Sequence, residues 1–332
     1  MAKNKEIVLS GIRPTGELHF GNYFGAFKKW LEIQDQYRCF WMVADLHSLT
    51  TLENTKDLKK TAYEMTALWL ALGLDPEKST IFLQSGVAEH GELNAIFSTL
   101  LPVAMLELNP TYKEMTASHP KAGSFGLLNY PVLQAADILL YKTSKVPVGK
   151  DQEPHIEITR EIARRFNRRF GRLFPEPQAI FEKIPKIYSL ADPAKKMSKS
   201  HRPDSYIALL DQPAEIRRKI RAAVTDSGQE IIYNPVKKPA ISNLLNLYHL
   251  VSGGQIKKIE EKFKNKGYAE FKKDLAEKII KFLAPIQKRF EQIIKNPKKI
   301  EAVLKNGSEK AGREAQKTMK EVKNKIGLIN LN

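Results

Sequence analysis

Cysteine is nearly absent: Cys39 stands alone among 332 residues. A disulfide framework is excluded, and a structural zinc site lacks its usual thiolates. The histidines are scattered without metal-ligand spacing. No apolar run reaches 18 residues, so no segment is expected to span a membrane. Met-Ala-Lys-Asn-Lys-Glu leads only into the short apolar stretch Ile7-Val8-Leu9, without the core of a signal peptide. The expected location is cytoplasmic. Neither G-x-G-x-x-G nor G-x-x-x-x-G-K-[ST] occurs, so dinucleotide and P-loop enzymes lack their usual fingerprint. No internal repeat is found, and no low-complexity tract beyond a lysine bias.

What is present is the composition of a folded chain, 42% hydrophobic and 27% charged. The length allows two domains. Net charge is +17, and it is unevenly placed. Residues 1–194 carry 23 Lys and Arg against 22 Asp and Glu, whereas residues 256–332 carry 21 against 10. A neutral domain followed by a part that meets a polyanion is one reading; a lysine-rich solvated surface is the other.

Up to about residue 192, short apolar runs alternate with helical patterns. Ile7-Val8-Leu9, Phe40 to Ala44, Ile81-Phe82-Leu83 and Val146 to Gly149 read as strands. Tyr23, Phe24, Phe27, Trp30 and Leu31 have helical spacing. So do Leu58, Ala62, Met65 and Trp69, closed by Gly73. Pro131 suits the first turn of a helix that runs to about Tyr141. Another helix begins near Gln152. The alternation predicts an α/β fold, a doubly wound parallel sheet with ligands beyond the carboxyl ends of its strands. Past Asp192 the pattern predicts helices only, over 207–210, 214–224, 241–250, 268–290 and 311–326.

Two segments carry chemistry. The first strand runs into Ser10 to Asn22, where Gly11, Pro14 and Gly16 turn the chain and His19 and Asn22 open the next helix. Backbone N–H groups at a helix start suit a phosphate, and Gly21 lets a flat base approach. An ordinary loop with a capping Asn fits equally. The second segment is Lys195-Lys196-Met197-Ser198-Lys199-Ser200, between Pro193 and Pro203. It reads as a lysine loop that closes over phosphates or as a basic linker.

His19-Phe20-Gly21-Asn22 resembles the first signature of class I aminoacyl-tRNA synthetases, and Lys196-Met197-Ser198-Lys199-Ser200 matches the second. Between and beyond them stand Val43-Ala44-Asp45-Leu46-His47, Tyr130 to Tyr141, Val146 to Gln152, Ala223-Val224-Thr225-Asp226-Ser227 and Ile241-Ser242-Asn243. With these the chain resembles the tryptophanyl-tRNA synthetase family over roughly residues 7–330. The resemblance implies a Rossmann-like catalytic domain over 1–192, an all-helical tRNA-binding domain over 193–310, and a last helix over 311–332 that packs back on the first domain. It implies activation of L-tryptophan by ATP with Mg²⁺, transfer to tRNA(Trp), and a homodimer.

Residue by residue, the same resemblance assigns ATP to Arg13, Pro14, Thr15, Gly21, Asn22, Gly149, Lys150, Asp151 and Ile187. To these it adds Lys196, Met197, Ser198, Lys199 and Ser200. Catalytic roles fall to His19, Asn22, Lys196 and Lys199. Tryptophan is assigned to Leu9, His47, Tyr130, Gln134, Asp137, Ile138, Val146, Val148 and Gln152. Asp137 would accept the indole N–H, and no residue is assigned to a metal. Asp137→Ala is expected to abolish activation and leave the fold intact. Arg13, His19, Met115 and Lys150 depart from the family pattern. The rival readings are a tyrosyl enzyme, whose pocket shares Tyr130, Gln134 and Asp137, and a non-aminoacylating nucleic-acid binder.

Overall fold

The computed structural model describes residues 5–118, 123–149, 152–180, 186–198 and 202–330. The chain divides into two compact units that are not contiguous in sequence. One comprises residues 1–15, 30–182 and 296–332; the other comprises residues 16–29 and 183–295.

The first unit is built on a five-stranded sheet: β1 (Ile7–Ile12), β2 (Arg38–Val43), β3 (Thr80–Leu83), β4 (Lys145–Pro147) and β5 (Gln178–Ile180). The spatial order is β3-β2-β1-β4-β5, and every pair is parallel. All of β2 beyond Arg38 is buried, as expected of a strand covered on both faces. Alternation sends its side chains two ways. Phe40 and Met42 join a core with Phe82, Val146, Leu139 and Phe166. Trp41 stacks on Trp30 at 4.5 Å, and Trp69 meets Trp30 edge-on at 5.3 Å. Burial pushes the Cys39 thiol up to about 12, so the lone cysteine is an inert core residue. The crossover reverses between β1 and β4, which places a ligand crevice at their carboxyl ends.

The expected strands are present, and helix Leu58–Leu72 ends at Gly73 with φ +111°. Three expectations change. Pro131 lies inside helix Phe125–Leu140, which starts earlier because Ser124 accepts from the Leu127 N–H. Ile207 to Leu210 is not helical: Phe20 N–H donates to Ile207 O and Leu209 N–H to Leu18 O, at 3.0 and 2.9 Å. The last helix runs over Pro297–Ile326, capped by Asn296, and packs on the sheet unit.

The second unit is helical among its described residues, with Pro213–Ala222, Pro239–Ser252, Ile256–Lys262 and Tyr268–Ile294. Segment 16–29 belongs here rather than with the sheet. Phe20 and Phe24 pack on Phe282 of the long helix, at 6.0 and 5.8 Å between ring centres. The expected domain boundary at 192/193 therefore does not coincide with the packing boundary at 182/183. This unit holds 26 Lys and Arg against 13 Asp and Glu, net +13 of the total +17.

Candidate functional site

In the sheet unit, polar side chains converge on Asp137, which is 1% exposed in helix Phe125–Leu140. Burial alone would raise its carboxyl; the facing His90 and His47 and their hydrogen bonds outweigh it and hold the group well below the usual carboxylate range. His90 Nδ1 lies 2.6 Å from Oδ1, and His47 Nε2 lies 2.7 Å from Oδ2. Gln84 Nε2 reaches both oxygens, at 2.9 and 3.0 Å. An ionised carboxylate only accepts, so each of these nitrogens carries a proton. Gln84 Oε1 in turn accepts from the backbone N–H of His47. His47 follows β2, Gln84 follows β3, and His90 opens helix Glu89–Ser98. The sheet thus delivers its partners to one carboxylate. Behind them, the Tyr141 hydroxyl lies 2.9 Å from His90 Nε2, its pKa raised by burial and by the Asp137 and Glu89 charges.

A second chain of polar groups runs from the same helix to helix Glu153–Phe170. Tyr130 Oη is 2.6 Å from His155 Nε2, and His155 Nδ1 is 2.9 Å from Gln152 Oε1. Burial raises the Tyr130 pKa, so the phenol stays protonated. Gln134 is half-buried one turn from Tyr130. Leu9, Ile138 and Val146 are buried in the adjoining core, with Val148 packed against it. At the end of β1, Arg13 donates to Thr51, Pro14 is buried and Thr15 N–H donates to Arg13 O. Gly149 O accepts from Gln152 N–H before helix Glu153–Phe170.

The two signature segments meet in the other unit. His19 is buried and caps a helical stretch that passes through a π-turn at Tyr23–Phe27. Asn22 Oδ1 accepts from the His19 N–H at 3.1 Å, so its side chain is a cap. A Cβ on Gly21 would lie 2.7 Å from the His19 ring and 3.4 Å from Met197 O, so glycine is required by a close approach. Met197 is buried, and its N–H donates to Ile187 O. Ser189 N–H donates to Lys195 O, so the segment folds back on residues 187–189 and leaves Lys196 exposed with Ser198 half-buried. Lys150, Asp151, Lys199 and Ser200 lie outside the described residues, as does the side chain of Met115.

Asn243 holds this fold-back. Its amide accepts from Tyr188 N–H and donates to Tyr188 O, both at 3.0 Å. Asn243→Ala is expected to cost about 1–2 kcal/mol, since it strands two half-buried backbone groups. Urea unfolding reads the loss; an unchanged midpoint would remove the amide's role. The family stretch around Asn243 was legible, but its duty was not. Gln84, His90, Tyr141 and His155 also carried no assigned role. His90 lies 47 positions from Asp137, and only the parallel topology joins them. Arg164 and Arg165, part of an arginine cluster, are paired to Glu157, Glu161 and Glu176. Among the described residues no three His, Cys, Asp or Glu side chains gather as a metal site, and no helix is long and apolar enough to cross a membrane.

A family model described as class I tRNA synthetases (W and Y) matches residues 1–284. A tryptophan–tRNA ligase of Listeria monocytogenes is 46% identical over 327 residues, 98% of each chain. The solved tryptophanyl-tRNA synthetase of Mycoplasma pneumoniae superposes with a TM-score of 0.87 at 32% identity, covering 98% of each chain. That of Campylobacter jejuni, solved with ADP and tryptophan, also gives 0.87, at 34% identity over 97% of this chain and 100% of that one. Parallel sheet, both signature segments and full-length similarity agree: the chain belongs to the class I tRNA synthetases for tryptophan and tyrosine, within the branch of the tryptophan–tRNA ligases.

Proposed function

We propose that this chain is a tryptophan–tRNA ligase. In the first step the carboxylate of L-tryptophan attacks the α-phosphorus of ATP, forming tryptophanyl-adenylate and releasing pyrophosphate. In the second, a hydroxyl of the 3′-terminal adenosine of tRNA(Trp) takes the tryptophanyl group. Neither step needs a side-chain nucleophile; positioning and electrostatic stabilisation suffice. The observation that carries the reading is Asp137, an ionised carboxylate buried beside apolar walls. An acceptor of that kind selects a ring that brings an N–H and leaves phenylalanine with an unpaired partner.

In this reading Asp137 accepts the indole N–H, and Leu9, His47, Ile138, Val146 and Val148 surround the ring. Tyr130, Gln134 and Gln152 hold the ammonium end. Tyr130 stays protonated and its O–H is held by His155, which fixes the direction of its oxygen. ATP engages Arg13, Pro14, Thr15, His19, Gly21, Asn22, Gly149, Lys150, Asp151 and Ile187. Lys196, Met197, Ser198, Lys199 and Ser200 take the phosphates. Mg²⁺ would neutralise charge on the triphosphate. The unit of net +13 is the proposed tRNA partner surface, in a cytoplasmic homodimer.

Lys199→Ala is expected to lower the activation rate by about 10²–10³-fold while the tryptophan KM changes less than about 3-fold. Equal losses in both would count against a role confined to the transition state. The reading as a whole is tested by ATP–pyrophosphate exchange with each of the twenty amino acids. Exchange with tryptophan alone is expected. Exchange with tyrosine would reassign Asp137 to a phenol, and no exchange at all would point to a binding protein on this fold.

A further inference from the structure

The two imidazoles on Asp137 are not equivalent. The His47 side chain is 11% exposed, whereas that of His90 is 0% exposed. His90 stacks against Phe82 at 6.0 Å, and its far nitrogen is tied to the Tyr141 hydroxyl. Tyr141 is in turn stacked on Phe40 at 4.7 Å. The ring therefore has no room to turn, and its Nδ1–H is aimed at Oδ1 at 2.6 Å. Oδ2 lies on the His47 side, the one that reaches solvent.

We infer that His90 is a positioning residue for amino-acid selection. By holding Oδ1 from the sealed side while Gln84 spans both oxygens, it fixes the Asp137 carboxylate so that Oδ2 takes a substrate N–H in exchange for the His47 bond. Tyr141 completes the device by fixing the imidazole from behind. The inference rests on the proposed tryptophan site, which it deepens. Without the His90 bond the carboxylate would stay buried on Gln84 and His47, but it would lose the donor that holds Oδ1 away from the substrate side, and its acceptor direction would be less firmly set in advance.

Two substitutions separate this role from plain packing. An Asn side chain can place its N–H near the position of Nδ1, and a Gln near that of Nε2. His90→Asn keeps a donor for Asp137 and lets go of Tyr141; His90→Gln does the reverse. The full-length chain is assayed by ATP–pyrophosphate exchange with tryptophan and with its benzothienyl analogue, which carries sulfur in place of the indole N–H. For His90→Gln the tryptophan KM is expected to rise about 10–100-fold, with kcat and the ATP KM within about 3-fold. Its preference for tryptophan over the analogue is expected to shrink by a similar factor. His90→Asn is expected to stay within about 5-fold of wild type in KM and preference. Equal behaviour of the two variants, or the reverse order, would overturn the inference, because a structural role depends on volume and not on which nitrogen is mimicked. If either variant fails to fold, Tyr141→Phe decides: a KM raised about 2–5-fold supports the device, and an unchanged KM refutes it. The proposed function fails separately, through absence of tryptophan exchange in the wild type or undiminished tryptophan preference in Asp137→Asn.

Discussion

Asp137→Ala is expected to lower kcat/KM for tryptophan activation by about 10²–10⁴-fold, the range for truncating one side of a buried charge-assisted contact. The ATP KM should move by less than about 3-fold. The variant should also melt earlier. His47, His90 and Gln84 all donate to this carboxylate, and its removal strands those protons in a dry site. Breaking a buried network from one side costs about 3–5 kcal/mol. The expectation of an intact fold therefore gives way to one of a weakened fold. Asp137→Asn separates the two losses. It keeps the volume and one acceptor oxygen, so it should melt nearer to wild type, yet it turns an N–H toward donors and presents no charge. Normal tryptophan exchange in a folded Asp137→Asn protein would remove this residue from recognition altogether.

The sequence spoke most clearly where one local pattern had one physical reading. Phe40-Trp41-Met42-Val43 is apolar on both faces and rich in residues that favour strands, and it forms a strand covered on both sides. The glycine at 73 ends its helix in the left-handed conformation that glycine tolerates. Ile207 to Leu210 was ambiguous, because four apolar residues fit a helix turn or a paired strand alike. The partner that decides, Leu18 to Phe20, lies far off in the chain. Strand β5 is three residues with one exposed, too short for any periodicity. Asp137 was legible as a carboxylate that burial would make costly unless paired. Its partners were not, since the connections after β2 and β3 bring them to a helix 47 to 90 positions further on. The grouping of segment 16–29 with the helical unit was hidden for the same reason: Phe282, on which it packs, is more than 250 positions away.

Gly307→Ala should destabilise the protein although helix propensity argues the opposite. In an exposed helix interior, Ala is better than Gly by about 1 kcal/mol. At position 307 the added Cβ would stand 1.7 Å from the Ile81 carbonyl oxygen and 2.6 Å from its carbon. Both are backbone atoms of β3, so no side chain can yield, and the helix must lift off the strand. Its neighbour Ser308 accepts from the Leu83 N–H at 3.3 Å, a bond that such a shift would break. Overpacking of about 1–3 kcal/mol or more and a lost hydrogen bond of about 1 kcal/mol outweigh the propensity gain. Gly312, on the same helix, has nothing within 4 Å of where a Cβ would go. Gly312→Ala should therefore stabilise by about 0.5–1 kcal/mol. Thermal unfolding of the pair gives opposite signs if the geometry is right; the same sign in both would mean that the helix does not lie on β3. The displacement also has a route to the pocket. Leu83 precedes Gln84, whose amide holds both oxygens of Asp137. Gly307→Ala protein that stays folded is expected to show a raised tryptophan KM, which Gly312→Ala should not.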